Sequence, residues 1–269
     1  MNARYVHGYD GAEAQRLHDQ AGSLVELLHA DTAYPAGHTV LEAGCGVGAQ
    51  TVTLARGSPD ALITSFDLSP TSLAQAGAAV RAAGVANVSF LQADVFHLPF
   101  ADRCFDHVFV CFLLEHVPRP LLALQALKRV LKPGGSITVI EGDHGSTYFH
   151  PDSAAARHAV HCLVELQARA GGDALIGRTL FPLLTQAGFA GVQVSPRMVY
   201  VDGSRPHLIE GFTLRTFTAM VRGVRASALA SQLATAAQFD QGLVDLERTA
   251  HADGVFCYTF FKAVAANGR

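Results

Sequence analysis

Apolar residues along the first 145 positions recur at two spacings, one typical of helices and one typical of buried strands. Residues 11–30 carry Ala and Leu side chains every three to four positions, which predicts an amphipathic helix. Pro35 and Gly37 then break the pattern. Five apolar runs of strand length follow, at residues 38–43, 62–67, 88–92, 105–111 and 136–141. Helical patterns fill intervals between them, at residues 49–56, 70–83 and 120–131.

This alternation of strands and helices predicts βαβ units and therefore a parallel sheet. The strands are nearly continuous apolar runs, as expected when helices cover both faces of the sheet. After residue 145 the pattern loosens. Helices are predicted at residues 151–170 and 177–187, with several more across 205–250. Two late strands, at residues 191–201 and 254–265, should complete the sheet.

Composition narrows the class of protein. The chain has 269 residues, of which 49% are hydrophobic and 16% charged, so it can bury a sizeable core and is not disordered. The net charge is −3 and there is no long run of Lys or Arg, so no nucleic-acid partner is expected. No apolar run approaches the roughly 20 residues that span a bilayer, and no signal-peptide core is found, so no membrane partner is expected.

The chain has five cysteines, an odd number, and they form no Cys-x-x-Cys pair. A disulfide framework or a zinc knuckle is therefore not expected. Their neighbours are mostly apolar, which predicts buried free thiols and a reducing, cytoplasmic location.

The most informative motif is the stretch E-A-G-C-G-V-G at residues 42–48, which follows the first strand of the alternating region and opens its first helix. Glycines at such a junction allow a tight turn and close approach of the backbone to a ligand. The exposed amides of a helix N-terminus favour an anionic group. The motif therefore indicates a ligand-binding loop.

Two acidic residues stand at the ends of the next two predicted strands. Asp67 ends the second strand, and Asp94 comes just after the third. A carboxylate at the first position can accept hydrogen bonds from both ribose hydroxyls. A carboxylate at the second can accept one from an adenine amino group. Since ligands of open α/β sheets bind at this edge, the sequence predicts a ligand site formed by these strand ends.

Together these motifs resemble the class I S-adenosylmethionine-dependent methyltransferases, in particular the subgroup that acts on small molecules. The resemblance covers residues 38–141 and is carried by the glycine motif, Asp67, Ala93-Asp94, Leu114-Glu115-His116-Val117 and Leu131-Lys132-Pro133-Gly134-Gly135. It implies a Rossmann-like α/β fold, with a seven-stranded, mostly parallel sheet whose last strand is antiparallel. Helices then lie on both faces, and a helical cap is inserted near the C-terminus.

The resemblance also implies a single methyltransferase domain with five parts. These are an N-terminal helix and lid at residues 1–30, a cofactor-binding core at 38–145, a helical segment at 146–190, a substrate cap at 202–252 and a final strand at 254–265.

By resemblance, the loop residues Gly44, Cys45, Gly46 and Gly48 hold the methionine portion of S-adenosylmethionine. Glu42 orients the loop or the amino group of the cofactor. The other expected cofactor contacts lie at the following strand ends and in the lid. They are Asp67 for the ribose, Leu68, Asp94 and Val95 for the adenine, Cys111 and Phe112 beside the sulfonium, and Tyr9 and Gln20 from the lid.

The candidate proton acceptors follow the fourth and fifth predicted strands, where an acceptor molecule would enter. They are Glu115, His116, Asp143 and His144. A base is required only if the methylated atom carries a proton that must leave early. His116 has an alternative structural role, bonding a backbone carbonyl, and Asp143 an alternative role as a cap of the next segment.

The segment L-E-H-V-P at residues 114–118 is similar to quinone-pathway O-methyltransferases, some of which use a metal there. In that pattern another acidic residue stands three positions before the Glu. Here that position is Phe112, so no metal is expected.

The predicted function is methyl transfer to an oxygen, nitrogen or carbon atom of a small molecule by in-line displacement. The motifs describe cofactor binding alone, so three alternatives stay open. They are a non-methylating enzyme that uses the same cofactor, such as a cyclase or a decarboxylase, an NAD-dependent oxidoreductase, and a binding protein without catalysis. A homodimer is a further possibility.

Overall fold

The computed structural model describes residue 22 and residues 24–268. The predicted lid contacts Tyr9 and Gln20 lie outside this part of the chain. The first described helix, α1, covers residues 24–29 and belongs to the helix predicted from the pattern at 11–30.

Seven strands form one sheet: β1 (Thr39–Ala43), β2 (Leu62–Asp67), β3 (Val88–Gln92), β4 (Phe105–Cys111), β5 (Leu131–His150), β6 (Ala190–Val201) and β7 (Val255–Ala266). Their order is β3-β2-β1-β4-β5-β7-β6. The first five strands pair in parallel, and β7 is antiparallel to both β5 and β6. The predicted Rossmann-like sheet with an antiparallel last strand is confirmed.

Strand β5 is much longer than its predicted span of 136–141. It begins at Leu131, and it continues to His150 because β7 pairs with it along most of this length. The register of that pairing jumps from Asp143 opposite Thr259 to Tyr148 opposite Cys257. Four residues of β5, 144–147, therefore stand opposite a single residue of β7, and we call this segment the β5 bulge.

The helices lie between the strands. After α1 they are α2 (Ala49–Gly57), α3 (Pro70–Ala82), α4 (Pro120–Val130), α5 (Ala154–Arg169), α6 (Leu180–Gln186), α7 (Pro206–Leu208), α8 (Ala219–Gly223), α9 (Arg225–Ala230) and α10 (Ala236–Arg248). Single 3₁₀ turns occur at Leu114–His116 and Ile176–Thr179, and Ile209–Thr218 is π-helical. No described helix combines the length and the apolar character that crossing a membrane requires.

Local sequence accounts for several helix starts. Ser69 precedes Pro70, and its hydroxyl accepts a hydrogen bond from the backbone N–H of Ser72 at the start of α3. Helix α10 begins with a capping box, in which Thr235 and Gln238 satisfy each other's backbone N–H groups.

The sheet is buried on both faces, as the continuous apolar strands predict. Alternate residues of β4 show this: Phe109 packs in one apolar core with α1 and α2, whereas Val108 and Val110 pack in a second core with α4 and α6. Each fully buried side chain of this size stabilises the fold by about 1.5–3 kcal/mol.

The end of α1 is tied to the far side of the sheet by a buried lysine. Lys262 of β7 donates from Nζ to the Leu28 carbonyl oxygen at 3.1 Å, to Asp31 Oδ1 at 2.5 Å and to Thr32 Oγ1 at 2.5 Å. Arg197 of β6 donates to the other oxygen of Asp31 at 2.5 Å. Together the two cations hold the pKa of the Asp31 carboxyl at about 2. The segment after α1 is thereby fixed to both late strands.

Candidate functional site

The glycine loop between β1 and α2 has three residues in the left-handed backbone region: Gly44 (φ 71°), Gly46 (φ 53°) and Gly48 (φ 82°). A Cβ atom at Gly48 would lie 2.8 Å from the Ala76 Cα, so this glycine permits close packing of α2 on α3. A Cβ atom at Gly44 would lie 2.8 Å from Leu113 Cδ1. At Gly46 no atom lies within 4 Å of the Cβ position, so this part of the backbone faces open space.

The Asp67 carboxylate fixes this loop from the end of β2. Its Oδ2 accepts a hydrogen bond from the Gly46 N–H at 2.9 Å, and its Oδ1 accepts one from the Ser69 N–H at 2.9 Å. Each carboxylate oxygen can accept two hydrogen bonds, so both keep an acceptor site. The donor set and the open backbone at Gly46 fit a ligand that presents vicinal hydroxyls beside the loop.

The predicted adenine contacts lie at the neighbouring strand ends. Leu68 is 61% exposed, so its side chain offers an apolar surface to a ligand. Asp94 Oδ1 accepts the Phe96 N–H at 3.0 Å, and Oδ2 lies 3.2 Å from His97 Nδ1. The Val95 side chain is buried, which leaves only its backbone for a ligand contact.

Glu42 lies beneath the loop and is only 2% exposed. Its Oε2 accepts a hydrogen bond from the Ser65 hydroxyl at 2.6 Å. Burial, with a further contribution from the negative charge of Asp67, raises the pKa of Glu42 to about 7. The same carboxylates and its own burial raise the pKa of the Cys45 thiol. Cys45 is therefore a neutral packing residue of the loop.

Because the folded pKa of Glu42 lies above its unfolded value of 4.5, its contribution to stability is fully present below pH 4.5 and is lost as the pH rises through 7. For the protein without ligand, we expect the free energy of unfolding to fall by roughly 2–3 kcal/mol between these pH values. We expect this fall to be absent in Glu42→Gln. Urea unfolding across this pH range measures it. Glu26→Gln on the exposed side of α1 is the control, and an unchanged profile in Glu42→Gln would contradict the assignment.

The turn after β4 closes the other side of the site. Cys111 is buried, and burial raises the pKa of its thiol well above the usual value. Phe112 adopts a left-handed conformation (φ 56°), an uncommon one for a bulky residue, and donates from its N–H to the Ile140 carbonyl at 2.9 Å. Glu141 Oε1 accepts the N–H groups of Leu113 and Leu114 at 3.0 and 2.7 Å, so β5 holds this turn in place.

Two of the carboxylates near this turn are close neighbours. Glu141 is fully buried, and burial together with the charge of Glu115 raises its pKa well above the usual value. Glu115 lies in the 3₁₀ turn, where Gln167 of α5 donates to its Oε2 at 3.1 Å. His116 Nε2 lies 3.5 Å from Glu115 Oε1. The pattern along the chain gave no sign of Gln167, because it is 52 residues from Glu115.

Asp143 is buried and engaged by a cation. Arg178 donates from Nε to its Oδ2 and from Nη2 to its Oδ1, both at 2.8 Å. Oδ1 also accepts the N–H of Gly145 at 3.0 Å, in line with the alternative role of Asp143 as a cap. Both oxygens of the Asp143 carboxylate are therefore engaged by protein donors.

His144 lies in the β5 bulge, within the strand and not after its end, where the predicted span of 136–141 places it. Its ring Nδ1 is 2.7 Å from the hydroxyl of Tyr258 on β7. Its backbone N–H donates to the Ala174 carbonyl at 2.9 Å. The ring of Phe217, from the π-helical segment, meets the imidazole edge-on at 6.1 Å. Tyr258 is a residue that sequence reasoning missed, since it lies 114 positions away.

The parallel order of β1 to β5 brings the described site residues to one edge of the sheet. The glycine loop, Asp67 and Asp94 follow β1, β2 and β3, and the candidate proton acceptors follow β4 or lie in β5. Within the described residues, no three His, Cys, Asp or Glu side chains are grouped so that they could hold a metal ion.

Comparison with known proteins agrees with this geometry. Residues 41–139 match a methyltransferase domain family. The chain is 33% identical over 141 residues to the methyltransferase GfsG of Streptomyces halstedii, covering 52% of this chain and 50% of the relative. It is 37% identical over 106 residues to a demethylmenaquinone methyltransferase of Staphylococcus aureus, covering 39% of this chain and 43% of the relative.

Among solved structures, the [4+2]-cyclase SpnF is similar in fold, with a TM-score of 0.54 and 22% identity over 93% of this chain and 80% of that one. The chain spans about half the length of the curated relatives it matches. The matched domain contains the glycine loop, Asp67, Asp94 and the turn after β4. Residues 41–139 of this chain therefore form a methyltransferase domain, similar in sequence to S-adenosylmethionine-dependent enzymes.

Proposed function

We propose that this protein binds S-adenosylmethionine at the glycine loop and transfers its methyl group to a small molecule. The observation that carries the proposal is the pairing of Asp67 with the backbone of Gly46, at the one loop glycine whose Cβ position faces open space. This arrangement supplies a fixed carboxylate and an accessible backbone at the same point.

We assign the cofactor contacts from these positions. Asp67 accepts from the ribose hydroxyls, and the exposed face of Leu68 packs on the adenine, whose edge meets Asp94 and the backbone of Val95. The backbone of Gly44, Cys45 and Gly46 receives the methionine portion, and Gly48 packs the following helix. Glu42 supports the loop from below. Cys111 and Phe112 border the sulfonium.

When bound, the cofactor supplies a methyl group that its sulfonium already activates. The protein then has to hold the acceptor in line and keep water out, which can contribute on the order of 7–11 kcal/mol at best. The turn after β4 is held by the hydrogen bonds from its backbone to Glu141, and it forms the wall of the site against which an acceptor packs. The aromatic rings of Phe212, Phe217 and Phe260 pack around Tyr258 beside it.

Proton handling falls to the groups beside this wall. Of the four predicted candidates, we propose that Glu115, His116 and His144 lie where they can hold or move a proton of the acceptor. We assign Asp143 a structural role, because Arg178 donates to both of its oxygens. The proposal also includes a substrate cap at residues 202–252, a lid at residues 1–30 and a homodimer.

A second candidate function keeps the cofactor and changes the reaction, as in a cyclase. The likeness in fold to SpnF, named a [4+2]-cyclase, is the observation that favours it. Mass spectrometry of the reaction mixture separates the two. A methylated acceptor together with S-adenosylhomocysteine supports methyl transfer, whereas a rearranged substrate with intact cofactor supports the alternative.

Calorimetric titration of the purified protein with S-adenosylmethionine, S-adenosylhomocysteine and NAD(H) tests the proposal. We expect micromolar binding of both adenosyl ligands and none of the dinucleotide. Binding of NAD(H) alone would overturn the assignment and favour an oxidoreductase. Binding of no ligand would contradict the cofactor site as described and favour a protein without catalysis.

A further inference from the structure

The β5 bulge interrupts the pairing of β5 with β7 at His144. On one side of the bulge Asp143 pairs with Thr259, and on the other Tyr148 pairs with Cys257, so Tyr258 alone faces residues 144–147. Extra residues of this kind re-aim side chains next to functional sites. Ser146 stabilises the bulge, because its hydroxyl donates to the Asp143 carbonyl at 2.7 Å and accepts the Thr259 N–H at 2.9 Å.

The Tyr258 hydroxyl fills the space that this bulge creates. Its ring is held by Phe212, Phe217 and Phe260 at centroid distances of 4.6–5.8 Å. Gly142 makes room for the hydroxyl, since a Cβ atom there would lie 2.3 Å from the Tyr258 oxygen. The phenol ring therefore packs against three aromatic rings, and its oxygen lies 2.7 Å from His144 Nδ1.

The direction of the hydrogen bond between these residues depends on the tautomer of His144. The backbone of Asp143 acts on the Tyr258 oxygen as a donor does, since it lowers the pKa of the phenol. Burial and the nearby carboxylates of Glu115, Asp143 and Glu141 raise the pKa of Tyr258 well above its usual value, so the phenol keeps its proton. That proton points to an acceptor, and His144 Nδ1 lies at hydrogen-bond distance.

We propose that Tyr258 is a positioning residue for His144: its hydroxyl donates to Nδ1, so the neutral imidazole carries its own proton on Nε2. This inference rests on the proposed function where it concerns the acceptor. In that setting, the Tyr258 hydroxyl occupies Nδ1 of His144 and a proton occupies Nε2, so proton removal from the acceptor falls to Glu115 and its neighbour His116. The ring nitrogen that carries the proton is set by the partner of the other nitrogen.

Nitrogen-15 NMR of histidine-labelled protein above neutral pH tests the tautomer directly. His144→Gln identifies the His144 signals among those of the 13 histidines. We expect a pyridine-like Nδ1 and a pyrrole-like Nε2 in the unmodified protein. Tyr258→Phe should shift the Nδ1 signal or produce a mixture of tautomers. Tyr34→Phe is the matched control, because it removes another buried hydroxyl, bonded to Thr138 on the same sheet.

A protonated Nδ1 in the unmodified protein, or an unchanged His144 spectrum in Tyr258→Phe, would overturn the proposal. Should Tyr258→Phe fail to fold, Gly142→Ala provides a second variant, since its Cβ displaces the hydroxyl. Neither readout needs cofactor or acceptor. Calorimetry with S-adenosylmethionine on the same samples is independent: lack of binding with the expected tautomer would count against the proposed function alone.

Discussion

Replacing Asp67 by alanine is expected to weaken S-adenosylmethionine binding by more than about 100-fold. The substitution removes the hydrogen bond that holds the Gly46 N–H, together with the proposed acceptor of the ribose hydroxyls. A hydrogen bond to a charged group contributes about 1.5–3 kcal/mol, and each 1.4 kcal/mol corresponds to a factor of ten in affinity. Isothermal titration calorimetry with S-adenosylmethionine measures the change.

Asp102→Ala is the matched control for this experiment. It also removes one aspartate, but its partner Arg129 is an exposed residue far along the chain from the glycine loop. The control should bind the cofactor as the unmodified protein does. Equal affinity in Asp67→Ala and Asp102→Ala would show that the ribose does not contact Asp67.

The second large effect is on stability. Lys262→Met is expected to lower the free energy of unfolding by about 1–3 kcal/mol for each buried acceptor that loses its donor. The substitution leaves the Leu28 carbonyl and the Thr32 hydroxyl without their donor in a buried setting. Urea unfolding followed by circular dichroism measures the loss.

Lys132→Met is the control for the loss of a lysine charge. Lys132 also donates to a carboxylate, Asp106 Oδ1 at 2.7 Å, but 43% of its side chain is exposed. An ion pair so exposed contributes about 0–1 kcal/mol. If the two variants lose the same stability, burial of Lys262 has no energetic role at the end of α1.

The sequence was sufficient for the fold because the relevant signals are local. Continuous apolar runs between helical patterns specify buried parallel strands, and each of the first four strands matches its predicted span within one residue. The glycine motif predicted a tight turn, and its three glycines adopt the positive φ values that such a turn allows. Asp67 was predicted as a ligand group, and the structure adds its second role in holding the loop.

The candidate proton acceptors were harder to interpret because their roles depend on distant partners. Asp143 was a candidate base from its position, yet Arg178 engages both of its oxygens. His144 was expected after the end of the fifth strand, whereas pairing with β7 extends the strand past it. These partners lie 35 and 114 residues away, and no periodicity within a window of a few residues can reveal them.

The position of β7 in the sheet has a consequence for synthesis on the ribosome. It lies between β5 and β6, and β6 pairs with no other strand among the described residues. Until residues 255–266 leave the exit tunnel, β6 has no neighbour and the second edge of β5 is open. Unpaired strand edges of this kind are prone to aggregation. The nascent chain therefore needs protection of these edges until its last strand is available, even though the cofactor loop has by then been complete for some 200 residues.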